Sequence, residues 1–276
     1  MNLTLPALIQ PWSEDEFRDL LRTRTLCFQR TASPSRMASL LDWATLRGKI
    51  ESGDIPPDAL RVTRKTELVP AKIYTRNGKV HGGNLDRLLE QGASLYVVPL
   101  ERHIPALAAL CSDVAARIPE RIYTGAIATT GHGGAAKLHH DPEDLLILQL
   151  EGSKRWLVYG APVTAPFKGH IVEPPLEADP VFDEVLRPGD VLFLPAGYWH
   201  RCENGSGLSL HAGIFIEPAA AWHDLRTLLR GLLDEELMRV PLTRFAGPEG
   251  RAAHERAVKV LLTEMIARMP LGAGKP

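Results

Sequence analysis

Between residues 122 and 216 the chain is cut into short apolar runs, none of them long enough for an ordinary helix. Residues 122–128, 145–150, 155–159, 185–186, 191–194 and 208–216 read as strands. Gly152, Pro162, Pro174-Pro175, Pro188-Gly189 and Asn204-Gly205 punctuate them with turn chemistry. Many short strands separated by such turns predict a sandwich or a barrel. No clear helix-length segment interrupts them, which argues against a βαβ sheet, whose successive strands need a helix between them.

The flanks have a different texture. Ser13-Glu14-Asp15-Glu16 reads as a capping box opening a helix through Leu21. Thr25 to Gln29 reads as a strand, and Ser33-Pro34 as an N-cap with proline at the first position of a helix over 37–46. Residues 61–63 and 72–75 alternate like strands, and Asn77-Gly78 is a two-residue hairpin signal. Residues 85–89 read as a helix, 95–98 as a strand and 104–118 as an amphipathic helix. After Pro218, Trp222, Leu225, Leu228, Leu229, Leu232 and Leu233 recur at helical spacing, as do Ala257, Val258, Leu261, Leu262, Met265 and Ile266. The division expected is 1–217 for a mainly β domain with an α/β N-terminal elaboration, and 218–276 for a helical region. The apolar stripes of that region either cover the barrel or pair with a second copy, making a homodimer the expected assembly.

Two segments about sixty residues apart carry the chemistry. The first is Leu138-His139-His140-Asp141, and the second ends in Pro195-Ala196-Gly197-Tyr198-Trp199-His200. Side chains alternate along a strand, so His139 and Asp141 share a face while His140 points away. With His200 from another strand, they make a two-histidine, one-carboxylate set. That set leaves positions open on a metal and suits non-haem Fe(II). Ser209 and His211 also lie two apart on one strand and are expected to face the interior. His211 reads equally as a cosubstrate contact or as a satisfied core histidine. His132, in a loop with Gly131, Gly133 and Gly134, reads as a surface residue.

These motifs, with Gln149-Leu150-Glu151-Gly152-Ser153-Lys154-Arg155-Trp156 and Arg187-Pro188-Gly189-Asp190, resemble the JmjC-type, cupin-like oxygenases, nearest their ribosomal-oxygenase branch. The resemblance covers about a third of the chain. It implies a double-stranded β-helix, with Fe(II) held by His139, Asp141 and His200 and with 2-oxoglutarate and O2 as cosubstrates. It places Lys154 where the family puts a basic residue for the distal carboxylate. A buried cation needs an anionic partner, and that carboxylate supplies one. The implied activity is hydroxylation of an amino-acid side chain in a protein or peptide, with a small-molecule substrate as a further option. N-methyl demethylation is an alternative from the same chemistry. The sequence departs from the family at Gly125, Ile127 and Ala136, where polar, aromatic or hydroxyl groups are common. In that branch a winged-helix module follows the helices, whereas 218–276 read as helices alone.

Two other classes stand beside this reading: a metal-dependent cupin enzyme such as an isomerase, which Lys154 argues against, and a binding protein without chemistry. A net charge of -1 gives no bulk argument for nucleic acid. Residues 1–6 carry no basic flank or apolar core of leader length, and charges interrupt every apolar run, so neither a secretory leader nor a membrane span is expected. Cys27, Cys111 and Cys202 are odd in number and unspaced for pairing, which fits free thiols in a cytoplasmic protein.

Overall fold

The computed structural model describes residues 3–31, 33–64, 67–131, 136–164, 166, 174, 178–205, 207–218, 221–241 and 247–269, with the side chains of 221–223 outside that description. Two compact units emerge, Met1–Glu217 and Pro218–Pro276.

In the first unit the strands are β1 (Cys27–Gln29), β2 (Leu60–Arg64), β3 (Glu67–Leu68), β4 (Thr75–Arg76), β5 (Lys79–Val80), β6 (Ser94–Val97) and β7 (Arg121–Thr130). They continue as β8 (Asp144–Glu151), β9 (Lys154–Val158), β10 (Phe182–Leu186), β11 (Val191–Leu194), β12 (His200–Asn204) and β13 (Leu208–Glu217). A large antiparallel sheet runs β1-β11-β8-β13-β7-β6-β2-β3, and a small one runs β10-β9-β12. Residues from both sheets meet in one apolar cluster: Leu145, Ile147, Leu192 and Leu194 from the large sheet, with Trp156, Val158, Leu186 and Cys202 from the small one. That is the interior of a double-stranded β-helix, and the site is built at one end of it.

The opposite face of the large sheet is covered by helices α1 (Leu5–Leu8), α2 (Glu14–Thr23), α3 (Trp43–Ser52), α4 (Gly82–Glu90) and α5 (Pro105–Ala115). Leu8, Phe17, Leu46, Ile50, Leu85 and Leu107 pack there against Leu146, Leu148, Leu210, Ala212 and Ile214. Each large side chain so buried stabilises the fold by roughly 1.5–3 kcal/mol.

Local signals explain several elements. The capping box forms at Ser13 and Glu16, and α2 runs from Glu14. Asn77 and Gly78 both take positive φ, 50° and 75°, and close the β4–β5 hairpin. Two expectations fail. Pro34–Met37 is only a 3-10 turn, and Ser33 makes no side-chain cap. The helix starts at Trp43 instead, because the Asp42 carboxylate accepts from the Thr45 N–H at 2.7 Å. Residues 72–75 are no strand either: Ala71–Ile73 is a 3-10 turn, with only Thr75 entering β4.

The Pro188-Gly189-Asp190 turn is structural. Asp190 is buried and accepts from the N–H groups of Thr31 and Arg187, at 3.0 and 2.8 Å, and from the Arg30 guanidinium at 2.9 Å. This ties the chain after β1 to the start of β11. Gly189 has φ 89°, and a Cβ there would fall 2.6 Å from Thr31 Cγ2.

The second unit contains α6 (Ala221–Gly231), α7 (Glu236–Arg239) and α8 (Gly247–Arg268). Leu228 and Leu232 are buried, while Leu229, Leu233, Met238, Val260 and Ile266 are exposed. Among the described residues no helix is long and apolar enough to cross a membrane.

Candidate active site

His139 and His200 are brought together by the backbone. Each N–H donates to the other's carbonyl, at 3.0 and 2.7 Å. In an antiparallel ladder such a pair sits directly opposite, with both side chains on one face. The two rings lie 4.3 Å apart. Asp141 follows on the same side, with Oδ2 3.5 Å from His200 Nε2. One ligand atom from each of the three residues lies within 4.8 Å of the others. The turn leading to His200 needs Gly197, whose φ is 90° and whose N–H donates to the Asp141 carbonyl at 2.9 Å. A Cβ at Gly197 would fall 2.7 Å from the Val163 carbonyl oxygen.

Backbone partners set the tautomers of both histidines. His139 Nδ1 lies 2.7 Å from the Lys137 carbonyl and His200 Nδ1 lies 3.0 Å from the Tyr198 carbonyl. A carbonyl only accepts, so each Nδ1 carries the hydrogen and each Nε2 keeps its lone pair. Metal-ligating histidines are oriented in this way. Burial and the adjacent His139 ring push the His200 imidazole well down, so it stays neutral. His140 points away, edge-on to Trp199 at 5.0 Å. The donor set therefore fits a divalent transition metal: two neutral imidazoles, one carboxylate and open positions.

Lys154 opens β9 and is 2% exposed. It forms no ion pair among the described residues, and burial pushes its ammonium down to about 8. Its neighbours on the inner face are polar or aromatic. Trp156 stacks on His200 and stands edge-on to His211, each at 5.5 Å. Cys202 lies across from Trp156, and burial pushes its thiol up to about 12. Burial, Lys154 and His200 hold the His211 imidazole neutral.

Gln149 Nε2 donates to the Glu151 carbonyl at 2.8 Å, to Ser209 Oγ at 3.1 Å and to the Leu210 carbonyl at 3.3 Å. Four buried atoms here have no partner among the described residues: Thr129 Oγ1, Gln149 Oε1, Trp156 Nε1 and His211 Nδ1. Unsatisfied buried polar groups are rare, and a cluster of them beside a lone buried cation marks a place for a polar ligand. A small dicarboxylate supplies what Lys154 lacks, so the residues also fit 2-oxoglutarate.

The structure thus brings His139, Asp141, His200, Lys154 and His211 to one end of the interior. Ser209 is also inside, with its hydroxyl engaged by Gln149. A bulge that places the extra residue Leu150 in β8 sets this register. Sequence reasoning assigned no role to Gln149, Trp156, Thr129 or Glu143. The signal for Gln149 was its place in the inward row Leu145-Ile147-Gln149, where a lone amide breaks an apolar pattern. His132, Gly133 and Gly134 lie outside the described residues.

The rim is formed by β7 and the segment before β8. Gly125 has no room for a side chain: a Cβ would fall 2.5 Å from Val98 Cγ2. Ile127 sits between Tyr96 and His211 in the ladder. Tyr123 stacks flat on Phe215 at 4.8 Å and donates its hydroxyl to Glu143 Oε1 at 3.0 Å.

Residues 109–222 match the family model of the JmjC domain, and the cluster, Lys154 and His211 all fall within the match. Ribosomal oxygenase 2 of Rattus norvegicus is 39% identical over 89 residues, 31% of this chain and 19% of that protein. The bifunctional lysine-specific demethylase and histidyl-hydroxylase NO66 of Drosophila willistoni is 30% identical over 140 residues, 49% of this chain and 18% of that protein. The chain thus spans about a fifth of the length of these curated relatives. Among solved structures, YcfD, a ribosomal oxygenase from Escherichia coli in complex with cobalt and 2-oxoglutarate, superposes with a TM-score of 0.55. It is 19% identical, with 91% of this chain and 67% of that chain covered. At that identity the likeness establishes the fold.

Proposed function

Because residues 109–222 match the family model of the JmjC domain, we propose that this chain is an Fe(II)- and 2-oxoglutarate-dependent dioxygenase that hydroxylates an amino-acid side chain of a protein or peptide. The observation that carries the reading is the pairing of two features in one barrel end. One is a His-Asp-His cluster with both Nε2 atoms free, and the other is a buried lysine without an anion. A metal-only cupin enzyme needs no such lysine.

His139, Asp141 and His200 hold the metal, and their backbone hydrogen bonds spare it the cost of ordering them. Bound there with 2-oxoglutarate and O2, Fe(II) supplies oxidative decarboxylation of the cosubstrate to succinate and CO2, with the second oxygen atom passing to a substrate C–H. Lys154 holds the distal carboxylate. His211 and Trp156 offer polar atoms to the same ligand, and Ser209 positions Gln149. The apolar cluster beneath excludes water from the interior. Glu143 and Tyr123 stand at the entrance, where a substrate side chain arrives.

The Drosophila relative is named for both demethylase and histidyl-hydroxylase activities. Hydroxylation of an N-methyl group yields a hemiaminal that loses formaldehyde, so demethylation follows from the same site when the substrate is methylated. The second unit, with five exposed large apolar side chains among its described residues, is assigned to homodimer formation, and the three free thiols to a reducing, cytoplasmic setting. Solution mass with and without residues after Glu217 tests the dimer.

Turnover tests the main reading. Protein with Fe(II), 2-oxoglutarate and peptide or amino-acid pools is expected to form succinate and to add one oxygen atom to a substrate, or to release formaldehyde. Absence of succinate in every pool, with metal and 2-oxoglutarate bound, contradicts it.

A further inference from the structure

The row of β8 side chains that faces the helices is Asp144, Leu146, Leu148 and Leu150. Three leucines suit an apolar core, and the carboxylate at their head does not. Asp144 is nonetheless only 5% exposed. A buried ionised carboxylate is costly even when paired, and an apolar replacement often leaves a fold no less stable. Stability alone therefore does not account for Asp144.

Its contacts converge on the turn that delivers His200. Asp144 Oδ1 accepts from the Ala196 N–H at 2.7 Å. The next amide, that of Gly197, donates to the Asp141 carbonyl at 2.9 Å. Two consecutive amides of the 195–198 turn thus hang on the segment that carries Asp141. Arg24 closes the other side. It caps α2 in the left-handed region, with φ 54°, and uses both its ends. Its Nη2 lies 3.5 Å from Asp144 Oδ1, and its carbonyl accepts from the Tyr198 hydroxyl at 3.3 Å. Tyr198 is the residue whose own carbonyl meets His200 Nδ1. The backbone bonds on either side of that carbonyl are long. Tyr198 N–H to the Pro195 carbonyl and Trp199 N–H to the Gly160 carbonyl are both 3.3 Å. The shortest tie in the turn is the one to Asp144.

We propose, resting on the oxygenase reading above, that Asp144 is a positioning residue for the metal site: clamped by Arg24 and bonded to the Ala196 N–H, it holds the Tyr198 carbonyl against His200 Nδ1 and so keeps Nε2 open for the metal. A turn free to rotate would let the Trp199 N–H, in the same peptide plane as the Tyr198 carbonyl, face His200 Nδ1. That arrangement selects the other tautomer, whose Nε2 carries the hydrogen and cannot bind a metal. The cost of burying a carboxylate is thereby spent on one tautomer of one ligand.

The test reads the ring nitrogens of His200 by NMR in metal-free, histidine-labelled full chain, with His200→Asn identifying the signals. Mn(II) affinity is measured by calorimetry on the same samples. The parent is expected to hold one tautomer, with the hydrogen on Nδ1. Asp144→Ala should move the two nitrogens toward averaged shifts and weaken Mn(II) binding about tenfold, the scale of losing a partner that orients a metal ligand. Asp144→Asn keeps Oδ1 for the Ala196 N–H and should restore both. Tyr198→Phe should act in the same direction by about threefold, as one hydrogen bond allows. Glu120, half-buried, is a second acid facing Arg24, and Glu120→Gln should change neither readout. Ile214→Ala weakens the same outer face and should also change neither. One tautomer with parental Mn(II) affinity in Asp144→Ala, no recovery in Asp144→Asn, or equal losses in Ile214→Ala overturns the proposal. If Asp144→Ala does not fold, an unchanged tautomer in Tyr198→Phe overturns it alone. A parent that holds one tautomer yet binds no Mn(II) overturns instead the oxygenase reading.

Discussion

The two faces of β8 and β13 are made from neighbouring residues and do opposite work. Leu146, Leu148, Leu210, Ala212 and Ile214 face the helices and are fully apolar. Gln149, Ser209 and His211, interleaved with them, face the interior, where Gln149 Oε1 and His211 Nδ1 have no partner among the described residues. One face gains stability from burial, while the other gives some of it up to keep donors and acceptors for a ligand. The difference between the faces is a difference between what folds the chain and what the chain binds.

The largest expected effect is at the triad. Asp141→Ala or His200→Ala should abolish Mn(II) binding and turnover while leaving the far-ultraviolet circular dichroism unchanged. Loss of folding along with metal binding would merge the two faces into one. On the outer face, Ile214→Ala should cost about 3 kcal/mol of unfolding free energy by leaving a cavity, with Mn(II) affinity of the folded protein retained. Urea titration and metal titration of the same variant check both halves.

Lys154 sharpens the comparison because it is a burden on the empty fold. Its folded value is held near 8, against 10.5 in the unfolded chain. Between these values the unfolded chain binds the proton and the folded one does not, so stability rises with pH across that window. Below about 8 the full penalty applies, about 3 kcal/mol at most. Lys154→Met should therefore raise the melting temperature of the metal- and ligand-free protein at pH 7 and flatten its rise between pH 8 and 10.5. The smallest effect is at Ser209→Ala, expected to cost about 1 kcal/mol, since Gln149 Nε2 keeps its two carbonyl acceptors.

The sequence reading succeeded where chemistry is local. Asn77-Gly78 needs only its own backbone freedom, the Ser13–Glu16 box only four consecutive residues, and His139 over His140 only strand alternation. It failed where a distant partner decides. After Ser33-Pro34 the chain makes only a 3-10 turn. The segment is tied elsewhere: the Thr31 backbone N–H goes to Asp190 and the Arg36 side chain to the Gly189 carbonyl. The ligand cluster was visible as a motif, but its exactness of tautomer came from the Lys137 and Tyr198 carbonyls. Trp156, Thr129 and Glu143 became site residues only once two sheets and a bulge had placed them around Lys154 and Asp141.

The central claim is that the inner polar end is a joint metal and 2-oxoglutarate site. Calorimetric titration of 2-oxoglutarate into the Mn(II)-loaded protein, into metal-free protein and into Mn(II)-loaded Lys154→Met tests it most directly. Tight binding is predicted only in the first, with affinity at least about a hundredfold weaker in the other two, the loss expected when a buried charge-assisted contact is removed. Binding of equal strength in all three would contradict the claim.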